Sequence, residues 1–100
     1  MTTDIKKEEG KTIITIVGRL DTVNAEKFMN EINTLEGERF KGKTVIDCSG
    51  LEYISSSGLR AFISILKLTN KANGKLHVEN LTPRVKTVFD LTGFSAMFGL

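Results

Sequence analysis

The reading of the chain turns on Thr44-Val45-Ile46-Asp47-Cys48 and, a few residues on, Tyr53-Ile54-Ser55-Ser56-Ser57-Gly58-Leu59-Arg60. The first run is β-branched and almost continuously apolar, as a buried strand is. After the second, Leu59, Phe62, Ile63 and Leu66 recur at i, i+3, i+4 and i+7, which is one face of a helix. Three hydroxyls therefore stand where a strand gives way to a helix. Orphan backbone N–H groups and the positive end of the helix dipole favour a negative oxygen cluster such as a phosphate at that point. An ordinary N-cap is the alternative use of a serine there.

Working outward, the chain alternates strands and helices. A strand over residues 4–8 turns at Glu9-Gly10 into a second over 12–17, a hairpin with glycine in the turn. A helix over 24–35 follows, with Ala25, Phe28, Met29 and Ile32 in one stripe. Gly37 and Gly42 punctuate the route to the buried strand. The serine-led helix ends near Asn73-Gly74, and Lys75-Leu76-His77-Val78-Glu79 alternates as a strand with one wet face. Pro83 reads as the first position of a third helix capped by Thr82, striped by Val85, Val88 and Phe89 and stopped by Gly93. The apolar tail Phe94-Ser95-Ala96-Met97-Phe98 adds a short strand or covers the core. This order predicts an α/β fold whose opening hairpin makes a largely parallel sheet mixed, with right-handed crossovers and helices gathered mainly on one face.

Composition sets bounds. One hundred residues, 40% hydrophobic and 26% charged, are expected to form a single domain over 1–100 with one core. No apolar run approaches the ~18 residues of a membrane span, and residues 1–9 are polar and mixed in charge, unlike a signal peptide; a cytoplasmic location without membrane insertion is expected. Cys48, the lone cysteine, excludes an internal disulfide and any multi-cysteine zinc site, and its strand predicts a buried, inert thiol. The net charge of +2 is scattered; neither Lys6-Lys7 nor Arg84-Val85-Lys86 makes the basic stripe that nucleic acid needs.

Gly18-Arg19-Leu20-Asp21, the strand ending Val45-Ile46-Asp47-Cys48-Ser49-Gly50-Leu51, and Ile54-Ser55-Ser56-Ser57-Gly58-Leu59 together resemble the STAS domain family, which includes the bacterial anti-sigma factor antagonists. The resemblance runs from about residue 11 to about 98. It implies a mixed sheet of four to five strands with three to four helices. In that family a partner kinase phosphorylates the serine two positions before the loop glycine, which falls on Ser56. Many phosphorylated members have aspartate just before that serine, where this chain has Ser55, so Ser55 and Ser57 stay open as alternatives. The resemblance also gives Asp21 a role in partner recognition; a turn or N-cap is its plain reading.

Two enzyme patterns fail on context. Gly37-Glu38-Arg39-Phe40-Lys41-Gly42-Lys43-Thr44 has the spacing of a P-loop, but it follows a helix and opens a strand, the reverse of what a phosphate cradle needs. A serine hydrolase lacks partners: Ile54 replaces the first glycine of G-x-S-x-G, and His77, the one histidine, lies on an alternating strand. No carboxylate pair or metal-ligand cluster stands out.

The serine-led helix carries a second apolar line, Ala61, Ile65, Leu68 and Ala72, which either meets a neighbouring helix or binds a partner. The second use would join it to residues 53–58 in one binding face: Asp21, Ser55, Ser57, Gly58, Leu59, Ile65 and Leu68 around Ser56. The resemblance then implies a non-enzymatic regulator without a cofactor of its own. Unmodified, it captures an anti-sigma factor that is a serine kinase; phosphorylated on Ser56, it releases it. ATP would belong to the kinase and a PP2C-type phosphatase would reset the switch. A monomer is expected. The alternative is an unphosphorylated structural STAS subunit of a lipid-transport or signalling complex.

Overall fold

The computed structural model describes residues Met1–Leu100. Strands β1 (Thr2–Glu8) and β2 (Lys11–Leu20) form the opening hairpin; α1 (Thr22–Ile32) and a 3₁₀ turn (Gly37–Phe40) lead to β3 (Lys43–Ile54). Then come α2 (Ser56–Lys71), β4 (Lys75–Glu79), α3 (Pro83–Leu91) and α4 (Phe94–Met97). The four strands lie in sequence order, β1 antiparallel to β2 and the other neighbours parallel, giving the mixed sheet that the alternation predicts.

One face of that sheet is dry. Ile14 of β2, Ile46 and Cys48 of β3 and Val78 of β4 are buried in a single core with Ala25, Phe28 and Ile32 of α1 and Leu59, Phe62 and Ile65 of α2. The residues between them, such as Thr15, Asp47 and Glu79, share a cross-strand row on the other face. The strand period of two thus sorts each strand's side chains into a helix-covered set and an open set. Phe62, Phe89 and Phe98 close the core at one end with ring centroids 5.8–6.2 Å apart. The tail is therefore a short helix that seats Phe98 in the core, not a strand.

Several boundaries differ from the sequence reading for identifiable reasons. β3 continues past Leu51 to Ile54, because register shifts between Thr15 and Val17 and between Gly18 and Arg19 disturb the alternation that would reveal it. Asp47 braces this stretch: its Oδ1 accepts from Asn80 Nδ2 and from Ser49 N, each at 3.1 Å, and these bonds hold the carboxyl below the usual range. α1 stops at Ile32, three residues early, in a turn where Thr34 Oγ1 donates to the Glu31 carbonyl at 2.6 Å. Thr82 sits at the N-cap of α3 but makes no capping bond; its hydroxyl donates to the Leu51 carbonyl at 3.3 Å, tying α3 to the central strand.

At the end of α2 the left-handed residue is Asn73, with φ 60°, and Gly74 serves a different need. A Cβ on Gly74 would lie 2.1 Å from the Phe40 carbonyl oxygen and 2.8 Å from that of Gly42. Both are backbone atoms that cannot yield alone. Gly74→Ala is expected to lower the unfolding free energy by about 2–3 kcal/mol in urea titration, whereas Gly37→Ala, with nothing within 4 Å, should change it by less than about 0.5 kcal/mol.

Candidate functional site

Parallel pairing brings the C-terminal ends of β2 and β3 together, with Leu20 opposite Ile54, and each strand is followed directly by a helix. Asp21 and Ser55 are the two N-caps. Asp21 Oδ1 accepts from Asn24 N at 2.9 Å, and Ser55 Oγ accepts from Gly58 N at 3.1 Å. Ser55 also donates twice to one acceptor: its N–H and its hydroxyl reach the Leu20 carbonyl at 2.9 and 3.0 Å. The two helix starts are thereby sewn to each other through the strand ends.

Gly58 completes this junction. A Cβ there would come within 2.8 Å of Ile54 Cγ1 and 3.0 Å of Leu20 Cδ2, so only glycine lets the first turn of α2 settle onto the strand ends. What the sequence presents as a serine loop is thus no loop at all, since Ile54 ends a strand and Ser56 begins a helix.

The three serines have separate fates. Ser55 is half-buried and committed to the cap. Ser56, at the first helical position, is exposed and its hydroxyl has no hydrogen-bond partner in the fold. Ser57 is half-buried and lines a groove of about 280 Å³ between α1 and α2, together with Thr22, Glu26, Met29, Arg60 and Ser64.

The second apolar line of α2 mostly belongs to the core. Ala61 and Ile65 are buried at 2% and 0% exposure, in one core with Ala25, Phe28 and Ile32 of α1. Ile65 is therefore not a surface on which a partner can dock, and neither are Leu59, buried in the same core, or Gly58, which packs on the strand ends. Leu68 is half-buried, but twelve residues along the helix from Ser56, which is about 18 Å of axial rise. It faces a separate hollow lined by Gly37, Lys41, Lys71 and Ala72. Of the residues expected to form one face, Gly58, Leu59 and Ile65 are buried and Leu68 lies apart, so those left accessible together are at the helix starts.

Residues that the pattern did not single out stand around those starts. Arg19 lies 4.3 Å above the Tyr53 ring, across the β2–β3 register, and Val23 on the first turn of α1 is 63% exposed. Arginine and tyrosine are residue types enriched at protein-binding surfaces, and here the guanidinium covers the ring face. Only the register, which sequence periodicity cannot give, pairs Arg19 with Tyr53.

Elsewhere the geometry offers no catalytic arrangement. His77 is exposed on β4, and no hydrogen bond links it to Ser56. The P-loop-like spacing forms a 3₁₀ turn and then β3, with a shallow depression of about 490 Å³ beside Glu36, Glu38 and Arg39. No three His, Cys, Asp or Glu side chains gather as metal ligands. No helix is long and apolar enough to cross a membrane.

The STAS domain family model matches residues 2–100. BtrV of Bordetella bronchiseptica, assigned to the anti-sigma factor antagonists, is 34% identical over 94 residues, spanning 92% of this chain and 78% of its own. The anti-sigma-B factor antagonist of Bacillus subtilis is 30% identical over 91 residues, with 90% and 81% covered. Among solved structures, the Bacillus cell fate determinant SpoIIAA in its phosphorylated form superposes with a TM-score of 0.72 at 18% identity, over 95% of this chain and 86% of that one. The same protein is known unphosphorylated. At this identity the superposition carries the fold.

Three measurements check the assignments of the serines and of the buried cysteine. Ser55→Ala should cost about 1 kcal/mol of stability by loss of the cap, whereas Ser56→Ala should stay within about 0.5 kcal/mol. Burial, with a smaller contribution from Asp47, pushes the Cys48 thiol from 9.0 up to about 12. It should therefore resist alkylation at pH 8 until the chain is denatured. The folded state also binds more protons than the unfolded one between those two values, so stability should fall as pH rises through that window.

Proposed function

The chain belongs to the STAS domain family and is related to its anti-sigma factor antagonists; from that premise we propose that it is a protein-binding switch thrown by phosphorylation of Ser56. Unmodified, it captures an anti-sigma factor that is itself a serine kinase, and so frees a sigma factor. Once Ser56 is phosphorylated, the partner is released, and a separate PP2C-type phosphatase restores the capturing form. These steps take place in the cytoplasm.

The observation that carries the reading is the division of labour between adjacent serines. Ser55 makes the bonds that the fold needs, leaving Ser56 exposed with a free hydroxyl. A phosphoryl group from ATP on the partner can join Ser56 Oγ as the bond to ADP breaks and the hydroxyl proton leaves, without loss of any bond that positions α2. The product adds roughly −1.5 to −2 charge at a helix start, where that charge is tolerated. Relief comes at the partner's expense. A surface complementary to a neutral hydroxyl must now bury an unpaired phosphate, so the interface changes while the backbone stays.

Asp21, Ser57, Val23 and the Arg19–Tyr53 pair, all on the two helix starts or on the strand residues just before them, make up the proposed contact surface with Ser56, and Asp21 presents the carboxylate oxygen that Asn24 N leaves free. The experiment is affinity capture from the native cytosol with the wild-type chain, Ser56→Ala and Ser56→Glu, followed by intact-mass analysis of the recovered bait. Wild type and Ser56→Ala should retain an ATP-binding serine kinase. Ser56→Glu should retain it at least about 100-fold more weakly, and phosphate should map to Ser56 alone. Equal capture of a non-kinase assembly by all three baits, with no phosphate, would replace this reading with a structural STAS subunit.

A further inference from the structure

We propose that Arg60 is the built-in counter-ion of the phosphorylated state, closing over a phosphate on Ser56 and holding it against the flank of α2. The inference rests on Ser56 being the modified residue.

Arg60 lies four residues after Ser56, and both are exposed. Side chains at that spacing are neighbours on a helix, about 5–6 Å apart at Cβ. They also lean towards the N-terminus, so the long Arg60 side chain is carried back over the first turn and towards Ser56. The reverse order would carry it away.

The guanidinium is uncommitted. The ion pairs of the fold are Lys11–Glu8, Lys43–Glu79 and Lys86–Asp90, and the first turn of α2 holds no acid. The other cation near the helix starts, Arg19, is engaged over Tyr53. Of the acids near them, Asp21 caps α1, and Glu26 lines the groove with Arg60 without pairing to it. A phosphate on Ser56 brings a larger charge than Glu26 and three acceptor oxygens that a planar guanidinium can grip in pairs.

The consequence is regulatory. Before modification, Arg60 is a free cation at the edge of the contact surface. Afterwards, guanidinium and phosphate neutralise each other in part, so one modification changes two features of that surface. The clamp also favours the dianion and screens the phosphorus from attack, which lengthens the life of the released state.

The test uses the full chain with phosphoserine installed at position 56 by genetic-code expansion. The phosphate is titrated by phosphorus NMR in the otherwise wild-type chain and in Arg60→Gln, with circular dichroism confirming that both are folded. The second phosphate ionisation should lie below the ordinary value of about 6 in the first, and about half a unit higher in Arg60→Gln. The difference should shrink in high salt, and a phosphatase should hydrolyse the Arg60→Gln phosphate several-fold faster. Superimposable titrations of the two would overturn the proposal. Since the phosphate is installed, the result does not depend on any kinase: a chain that never carries phosphate in its host removes the switch and leaves the ion pair standing.

Discussion

Everything at the working end of this protein depends on the parallel pairing of β2 with β3 and on how it terminates. Parallel neighbours cannot be joined by a tight turn, so α1 has to cross back over the sheet before β3 can begin. The strands then run the same way and finish side by side, Leu20 against Ile54, and the helices that follow start side by side as well. Ser55 closes the junction by turning both its N–H and its hydroxyl onto the Leu20 carbonyl. The entry direction of α2 is fixed there, and Gly58 lets the helix take that direction without striking the strand ends.

This junction separates a committed hydroxyl from a free one within two consecutive residues. The Ser55 hydroxyl is fully occupied, accepting from Gly58 N as the cap and donating to the Leu20 carbonyl. The next residue already has helical backbone and directs its side chain outward, and it owes nothing to the fold. A fold that places a free hydroxyl one residue inside the helix could accept a doubly charged group there while retaining its cap, its core and its strand register. The switch we propose would then act by surface charge on that scaffold, with no need for a second backbone conformation.

Much of the fold is legible in the residues. The stripe of Leu59 and Phe62 and the alternation around His77 mark a helix and a strand at nearly their true places. The stretch from Glu52 to Ile54 was harder to read as strand, since the register shifts break the alternation along β3. The site was legible as a location, from the serines and from the family resemblance, and much less so as a surface. Ile65, on the second apolar line, looks available on a helical wheel, yet it is fully buried in the core with the α1 stripe. Arg19 and Tyr53 are distant in sequence and reveal nothing until a register joins them.

By itself the sequence determined the order of the main strands and helices, the inward stripes of α1 and α3, and the position of the serine run at a strand-to-helix boundary, because these rest on local periodicity and local backbone preference. Which serine is the cap and which is free was decided only by the tertiary structure. The acceptor that engages the Ser55 hydroxyl is a carbonyl thirty-five residues earlier in the chain, and no local pattern can bring it there.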